Sequence, residues 1–301
     1  MSDDFLYKAK VKLFGHPLNS AEDPQQPFYI IGSGRSGSTL LRRLLYAHED
    51  VYIPGEIYTY KELFNTYLKA KRLSWKQLMY VSLAAIEYHH QFHDRYGSLG
   101  ELALELNTVE EGRRNLAEIV HQLYHFLAKK DGKPFKVWGD KTPQNTFILD
   151  EINAIFPQAK YIHIIRNGLD VALSYVENGL YDTIEQSALR WQQSIEICQQ
   201  FSHRVNDRYI EIRYEDLVTQ PESEVKRVCD FLGIDFREEM ITSLLYVDSM
   251  RDVNEIDHHK NVKKEIFTQS IGKGRKKLND TELEQLTDLV GTTLHKLKYD
   301  D

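Results

Sequence analysis

Residues 32–39 read Gly-Ser-Gly-Arg-Ser-Gly-Ser-Thr, types and spacings that suit the holding of an anion with several oxygens. Gly34 and Gly37, with Gly32 before them, let the backbone turn tightly and approach a ligand without Cβ interference. The amides of Arg35, Ser36, Gly37, Ser38 and Thr39 then converge at a helix start, where partial positive charge favours an anion. Arg35 adds a fixed charge whose planar fork matches a multi-oxygen group. The stretch lacks the Gly-Lys-Ser/Thr ending of nucleoside triphosphatase loops. A second cation, Arg166, ends the apolar run 160–165. Ser174 follows eight residues later, about two helical turns, where its hydroxyl could join Arg166 on one phosphate.

These groups need a scaffold, and the hydropathy pattern predicts one. Apolar strands are expected at 28–32, 51–53, 135–138, 160–165 and 208–212, separated by helical segments. That alternation predicts an α/β fold, a central parallel sheet flanked by helices with right-handed crossovers. The loop and Arg166 then lie at the carboxyl edge of the sheet, where open α/β sheets bind ligands. A helix is expected from the loop to about residue 47, another over 169–203 with a break, and a last one at 280–297. Pro143 suits a first helical turn. Residues 58–130 read as a mostly helical insertion, with Leu63, Phe64, Tyr67 and Leu68 at helical spacing, placed to form an acceptor pocket or lid. Residues 1–26, polar and proline-punctuated, are expected to be a loose arm ahead of a single domain at 27–301.

Two further stretches complete a set: Arg213-Tyr214-Glu215-Asp216-Leu217 after the last strand, and Ser270-Ile271-Gly272-Lys273-Gly274-Arg275 near the end. Together with the loop and the Arg166 segment they resemble the sulfotransferase superfamily, in particular its tyrosylprotein branch and bacterial relatives. The resemblance implies a P-loop-like nucleotide-binding fold and sulfuryl transfer from 3′-phosphoadenosine-5′-phosphosulfate (PAPS) to a hydroxyl acceptor, releasing 3′-phosphoadenosine-5′-phosphate (PAP). It implies that residues 32–40 hold the 5′-phosphosulfate, with Ser38 and Thr39 adding hydrogen bonds. Arg166 and Ser174 would hold the 3′-phosphate, Tyr214 would touch the nucleotide, and Lys273 or Arg275 would close over the 3′-phosphate. The family's catalytic glutamate follows the loop arginine by 21 residues, which here is Glu56 in Pro54-Gly55-Glu56. The family's lysine turn is matched by Asp140-Lys141-Thr142-Pro143. Glu56 would be the general base, while Arg35, Lys141 and the loop amides stabilise the transferring group without a metal. Gly274 stands where an aromatic residue often follows the lysine, and the glutamate-rich acceptor stretch is reduced to one carboxylate. The acceptor stays open: a peptide tyrosine, a sugar, a lipid or a small metabolite.

Alternatives are a nucleotide kinase, with Asp140 as its best magnesium-holding aspartate, and a nucleotide-binding protein without turnover. His48 is a second candidate base, and His121 and His125, four apart on one helix face, are a candidate metal pair. His163, inside an apolar strand, reads as a core histidine. The formal net charge of −7 argues against nucleic-acid binding through general positive charge. Two cysteines, Cys198 and Cys229, give no disulfide framework and suit a reducing compartment. The start Met-Ser-Asp-Asp-Phe lacks a signal peptide's pattern, and no apolar run reaches the roughly 20 residues of a membrane span. A cytoplasmic enzyme is expected, and a homodimer is compatible with this reading.

Overall fold

β1 (Phe28–Ile31), β2 (Val51–Tyr52), β3 (Val137–Asp140), β4 (Lys160–Ile165) and β5 (Tyr209–Arg213) pair in parallel, in the order β2-β3-β1-β4-β5. The computed structural model describes residues 3–20, 25–242 and 265–299. Helices cover both faces of a parallel sheet, so its inner strands carry unbroken apolar runs. Phe28, Tyr29, Ile30 and Ile31 are all buried, as are Tyr161, Ile162, Ile164 and Ile165.

The chain leaves β1 through the glycine loop into α2 (Ser38–Tyr46) and moves outward to β2; from β4, reached through α8 (Leu149–Ile155), it moves the opposite way through α9 (Gly168–Glu177) and α10 (Ile184–Val205) to β5. The strand order therefore reverses between β1 and β4, and a crevice opens at their carboxyl ends. The predicted anion loop and Arg166 flank that crevice.

Between β2 and β3 lie α3 (Tyr60–Ala70), α4 (Trp75–Glu87), α5 (His90–Tyr96), α6 (Gly100–Asn107) and α7 (Leu116–Lys130), which together with the sheet share one apolar core. A second cluster joins α9 and α10 to the last helix, Asp280–Lys296, around Trp191. Trp191 supports the β4–α9 turn directly: its indole Nε1 donates to the Arg166 carbonyl (3.1 Å), and a Cβ at Gly168 would approach the indole to 2.8 Å. Among the described residues no helix is long and apolar enough to cross a membrane.

Three details differ from expectation. β3 runs to Asp140, because Gly139, a poor strand residue by propensity, leaves the space that the Phe28 ring occupies. The turn after it, Pro143–Phe147, is a 3₁₀ helix rather than an α-helix. The N-terminal arm is not loose: Asp3–Phe14 forms α1, and the chain beyond it is anchored where the His16 amide donates to the Lys71 carbonyl (2.8 Å). The prolines taken as breakers, such as Pro17, all follow that helix.

Gly32 provides a test of the sheet's closeness. Its φ is +126°, and a Cβ there would sit 2.6 Å from the Ile164 carbonyl oxygen of the neighbouring strand. Gly32→Ala is expected to cost about 2–4 kcal/mol through backbone strain and overpacking. Thermal unfolding followed by circular dichroism should show a melting temperature several degrees lower; an unchanged one would contradict the packing described.

Candidate active site

The loop after β1 is shaped from below by Thr146, whose hydroxyl accepts from the Gly32 amide (2.9 Å) and donates to the Gly32 carbonyl (3.0 Å). Arg35 adopts a left-handed φ of 66°, which costs a non-glycine residue of order 1–3 kcal/mol. Two contacts hold it there. Arg166 Nη1 donates to its carbonyl (3.1 Å), and its own Nε donates to Ser174 Oγ (3.1 Å). A Cβ at Gly34 would lie 2.6 Å from Tyr175 Oη, and one at Gly37 would land on the Tyr214 ring. Gly37, at φ 93°, is the N-cap of α2 and has no side chain to cap the helix amides, so an anion can take that role. Ser36 and Ser38 are buried, and Thr39 is half-buried.

Arg166 is the hub of the second half. Besides the Arg35 carbonyl, it donates from Nη2 to the Ser270 carbonyl (2.7 Å), sits 3.5 Å from Asp170, and lies over the Tyr214 ring at 4.5 Å. Tyr214 Oη is 2.6 Å from Ser270 Oγ. Arg166 Nε is buried and has no hydrogen-bond partner among the described residues. A buried donor left unpaired costs about 1–3 kcal/mol, so the arrangement fits an anion that accepts from it. The basic run that holds Lys273 and Arg275 forms a short helix, Lys273–Lys277, docked on α9. Asp170 accepts from the amides of Gly272 (2.9 Å) and Gly274 (2.7 Å), and Lys277 pairs with Glu177 (2.6 Å). Lys273, half-buried, begins that helix, whereas Arg275 is exposed. Ser174, expected to join Arg166 on one phosphate, accepts from Arg35 Nε through its hydroxyl oxygen.

The third part follows β2 and β3. These strands pair in register, Val51 with Val137 and Tyr52 with Trp138, so the segments beyond them run side by side. Glu56 and Lys141, 85 residues apart, thereby meet as a buried ion pair, 9% and 1% exposed. Lys141 Nζ also donates to Thr39 Oγ1 in the anion loop (3.3 Å). The other carboxylate oxygen of Glu56 accepts from the Tyr58 hydroxyl. The Glu56 backbone is fixed as well: Arg95 Nη1 donates to its carbonyl (3.1 Å), the Ile57 amide donates to Thr142 Oγ1 (2.9 Å), and buried Arg42 donates to the Ile53 carbonyl (3.3 Å).

Asp140, the aspartate weighed for magnesium, is turned inward and 1% exposed. Its oxygens accept from Tyr124 Oη (2.5 Å) and Asn145 Nδ2 (2.7 Å), and the chain continues through Tyr60 to Tyr29. It is a structural anchor for the lysine turn. Burial holds its pKa up at about 6, against the lowering effect of the Tyr124 hydrogen bond. The folded state thus binds this proton more tightly than the unfolded chain does. Its stabilising contribution, about 3 kcal/mol, is complete below pH 4 and lost as pH rises to about 6. Wild-type stability should fall between pH 4 and 6 relative to Asp140→Asn in urea unfolding; parallel pH profiles would contradict the assignment.

His48, His121 and His125 make their hydrogen bonds outside this cluster. His48, the alternative base, follows α2 at its far end, where its Nδ1 accepts from the Asp50 amide (3.0 Å) ahead of β2. His121 and His125 face each other with Nε2 atoms 3.0 Å apart, and His121 Nδ1 accepts from Trp138 Nε1 (3.0 Å). Among the described residues no third His, Cys, Asp or Glu joins them as a metal-ligand group. Buried His163 contacts Tyr209 Oη at 2.6 Å, and burial lowers its pKa. A cavity of about 230 Å³ lined by Phe28, Lys136, Trp138 and Lys160 lies at the opposite, amino-terminal edge of the sheet and holds none of the predicted donor residues.

The family model described as "Sulfotransferase family" matches residues 27–238, which include every strand and the Glu56–Lys141 pair. The chain belongs to the sulfotransferase family. This sulfotransferase is 26% identical to an uncharacterised protein of Aquifex aeolicus, over 93% of the present chain and 36% of that protein. It is 25% identical to protein-tyrosine sulfotransferase A of Caenorhabditis elegans, over 71% of the present chain and 52% of the relative. It thus spans only about a third to a half of those relatives' lengths. The sulfotransferase domain from the Synechococcus PCC 7002 olefin synthase superposes with a TM-score of 0.61 at 25% identity, covering 88% of this chain and 94% of that domain.

Thr146 and Asp170 act on the site through long-range backbone contacts that no local pattern reveals, and the stretch that begins at Ser270 gives no sign of its bond to Arg166.

 The separations are 114 residues for Gly32–Thr146, 102 for Asp170–Gly272 and 104 for Arg166–Ser270. Tyr58 is different, since its position two residues from Glu56 could have drawn notice as a neighbour of the carboxylate.

Proposed function

We propose that this sulfotransferase moves the sulfuryl group of PAPS to a hydroxyl acceptor, with Glu56 as general base. One observation carries the reading: Lys141 touches both Glu56 and Thr39, and so joins a candidate base to the anion loop. When bound, PAPS supplies an activated sulfuryl group and a phosphate leaving group. The amides of residues 34–39, the Arg35 guanidinium and the Ser36, Ser38 and Thr39 hydroxyls would hold its 5′ end. Arg166, whose Nε is unpaired among the described residues, would hold the 3′-phosphate beside Lys273, and Tyr214 would border the nucleotide. Ser174 would act by fixing Arg35.

Glu56 would take the proton of the acceptor hydroxyl, help typically worth about 10²–10⁴-fold in rate. Lys141 and Arg35 would offset charge that grows on the transferring oxygens, from positions fixed before substrate arrives. Arginine and lysine thus fill the role that magnesium has in phosphoryl transfer, and no metal is part of the proposal. Buried thiols at Cys198 and Cys229 suit action in the cytoplasm. The acceptor, small molecule or peptide, enters from the side of the helical insertion.

Calorimetric titration with PAP, with and without magnesium and beside ATP, tests the donor. Metal-independent binding of PAP much tighter than ATP is expected. Tight magnesium-dependent ATP binding with no preference for a 3′-phosphate would overturn the reading in favour of a kinase.

A further inference from the structure

A general base must have an oxygen open to the proton it takes, within about 2.6–3.2 Å of the acceptor hydroxyl. Neither carboxylate oxygen of Glu56 is open. Oε1 holds Lys141, and Lys141 is also bonded to Thr39 of the anion loop, so Oε1 is the donor-side oxygen. Oε2 accepts from the Tyr58 hydroxyl and is therefore the oxygen left for the acceptor. A phenolic hydroxyl donating to that oxygen makes the same contact that an acceptor hydroxyl must make.

We propose that Tyr58 is a positioning residue that occupies the acceptor's place on Glu56 until the acceptor hydroxyl displaces it, and so keeps water from that place. The inference rests on Glu56 being the base. Tyr58 belongs to the short segment between Glu56 and α3, and is half-buried, so it can withdraw without disturbing the sheet. Its ring lies nearly parallel to that of His89, at 6.4 Å and 23°, and His89 in turn stacks on His90 at 4.9 Å. His89 Nδ1 is buried without a hydrogen-bond partner among the described residues, a polar contact that an incoming molecule can satisfy. Arg95 holds the Glu56 carbonyl from α5 (3.1 Å), so the carboxylate stays in place when Tyr58 leaves.

Water is the probe acceptor, because hydrolysis of PAPS to PAP and sulfate needs no identified partner. Tyr58→Phe keeps the ring and removes only the hydroxyl. It is expected to raise acceptor-independent hydrolysis about ten-fold, the scale of one hydrogen bond to a charged group, with PAP affinity unchanged in calorimetry. His89→Ala, which loosens the Tyr58 ring, should change hydrolysis in the same direction and by less. Glu56→Gln should lower hydrolysis and cancel the Tyr58→Phe gain in the double variant. If Glu56→Gln leaves hydrolysis unaltered, the base assignment itself fails. If Glu56→Gln slows it but Tyr58→Phe and His89→Ala do not raise it, the placeholder role alone fails. A gain of 80 Da on Tyr58 after incubation with PAPS alone would also overturn that role, since Tyr58 would then be an acceptor.

Discussion

Glu56→Gln is expected to lower turnover by about 10²–10⁴-fold while PAP binds as tightly as before. The substitution keeps the side chain's shape and an oxygen for Lys141, and removes the group able to take a proton. Because Glu56 and Lys141 are 9% and 1% exposed, the neutral variant also leaves a buried ammonium without its counter-charge. Removing one partner of a buried pair costs about 3–5 kcal/mol, so the melting temperature should fall too. The rate must therefore be measured well below the variant's transition, as PAP release at saturating donor. Rate loss with donor affinity intact separates an enzyme from a protein that only binds the nucleotide. A variant with wild-type turnover would remove Glu56 from the chemistry and leave it a role in stability alone.

Arg166→Ala is expected to raise the Kd for PAP by about 10²–10³-fold. Hydrogen bonds to charged groups are each worth about 1.5–3 kcal/mol, and at least one bond to the 3′-phosphate would be lost outright. The rest of the loss comes from the surroundings. Arg166 ties the Arg35 carbonyl to the Ser270 carbonyl and covers the Tyr214 ring, so its removal frees both the loop after β1 and the segment before Lys273. Arg166→Lys should recover little, because an ammonium on a flexible stem cannot span two carbonyls and a phosphate at once. Calorimetry decides the point. A change below ten-fold would move the 3′-phosphate site elsewhere.

The scaffold was readable where burial makes the pattern continuous. The runs at 28–31 and 160–165 are strands covered on both faces, and the positions of Arg35 and Arg166 follow from their ends. Glu56 and Lys141 were reached through resemblance, since a lone Gly-Glu or Asp-Lys-Thr-Pro states no chemistry. Their meeting depends on the β2–β3 register, a long-range pairing that no local pattern contains. The same limit hides the bond that Ser174 Oγ accepts from Arg35, 139 residues away. The run from Lys273 is basic and glycine-rich, a composition that does not announce the docked helix made by two amides on Asp170. Asp170 itself looks like an ordinary first-turn carboxylate, favoured there by the helix dipole.

Ser270 and the Gly272 and Gly274 amides held by Asp170 lie beyond residue 238, where the family match ends, yet they complete the surroundings of Arg166 and Tyr214. The donor site is therefore not a portable cassette. A chimera that exchanges residues 27–238 with a relative would keep every strand while pairing Arg166 and Tyr214 with a foreign clasp. Recombination between relatives should yield working enzymes only when both segments come from one parent.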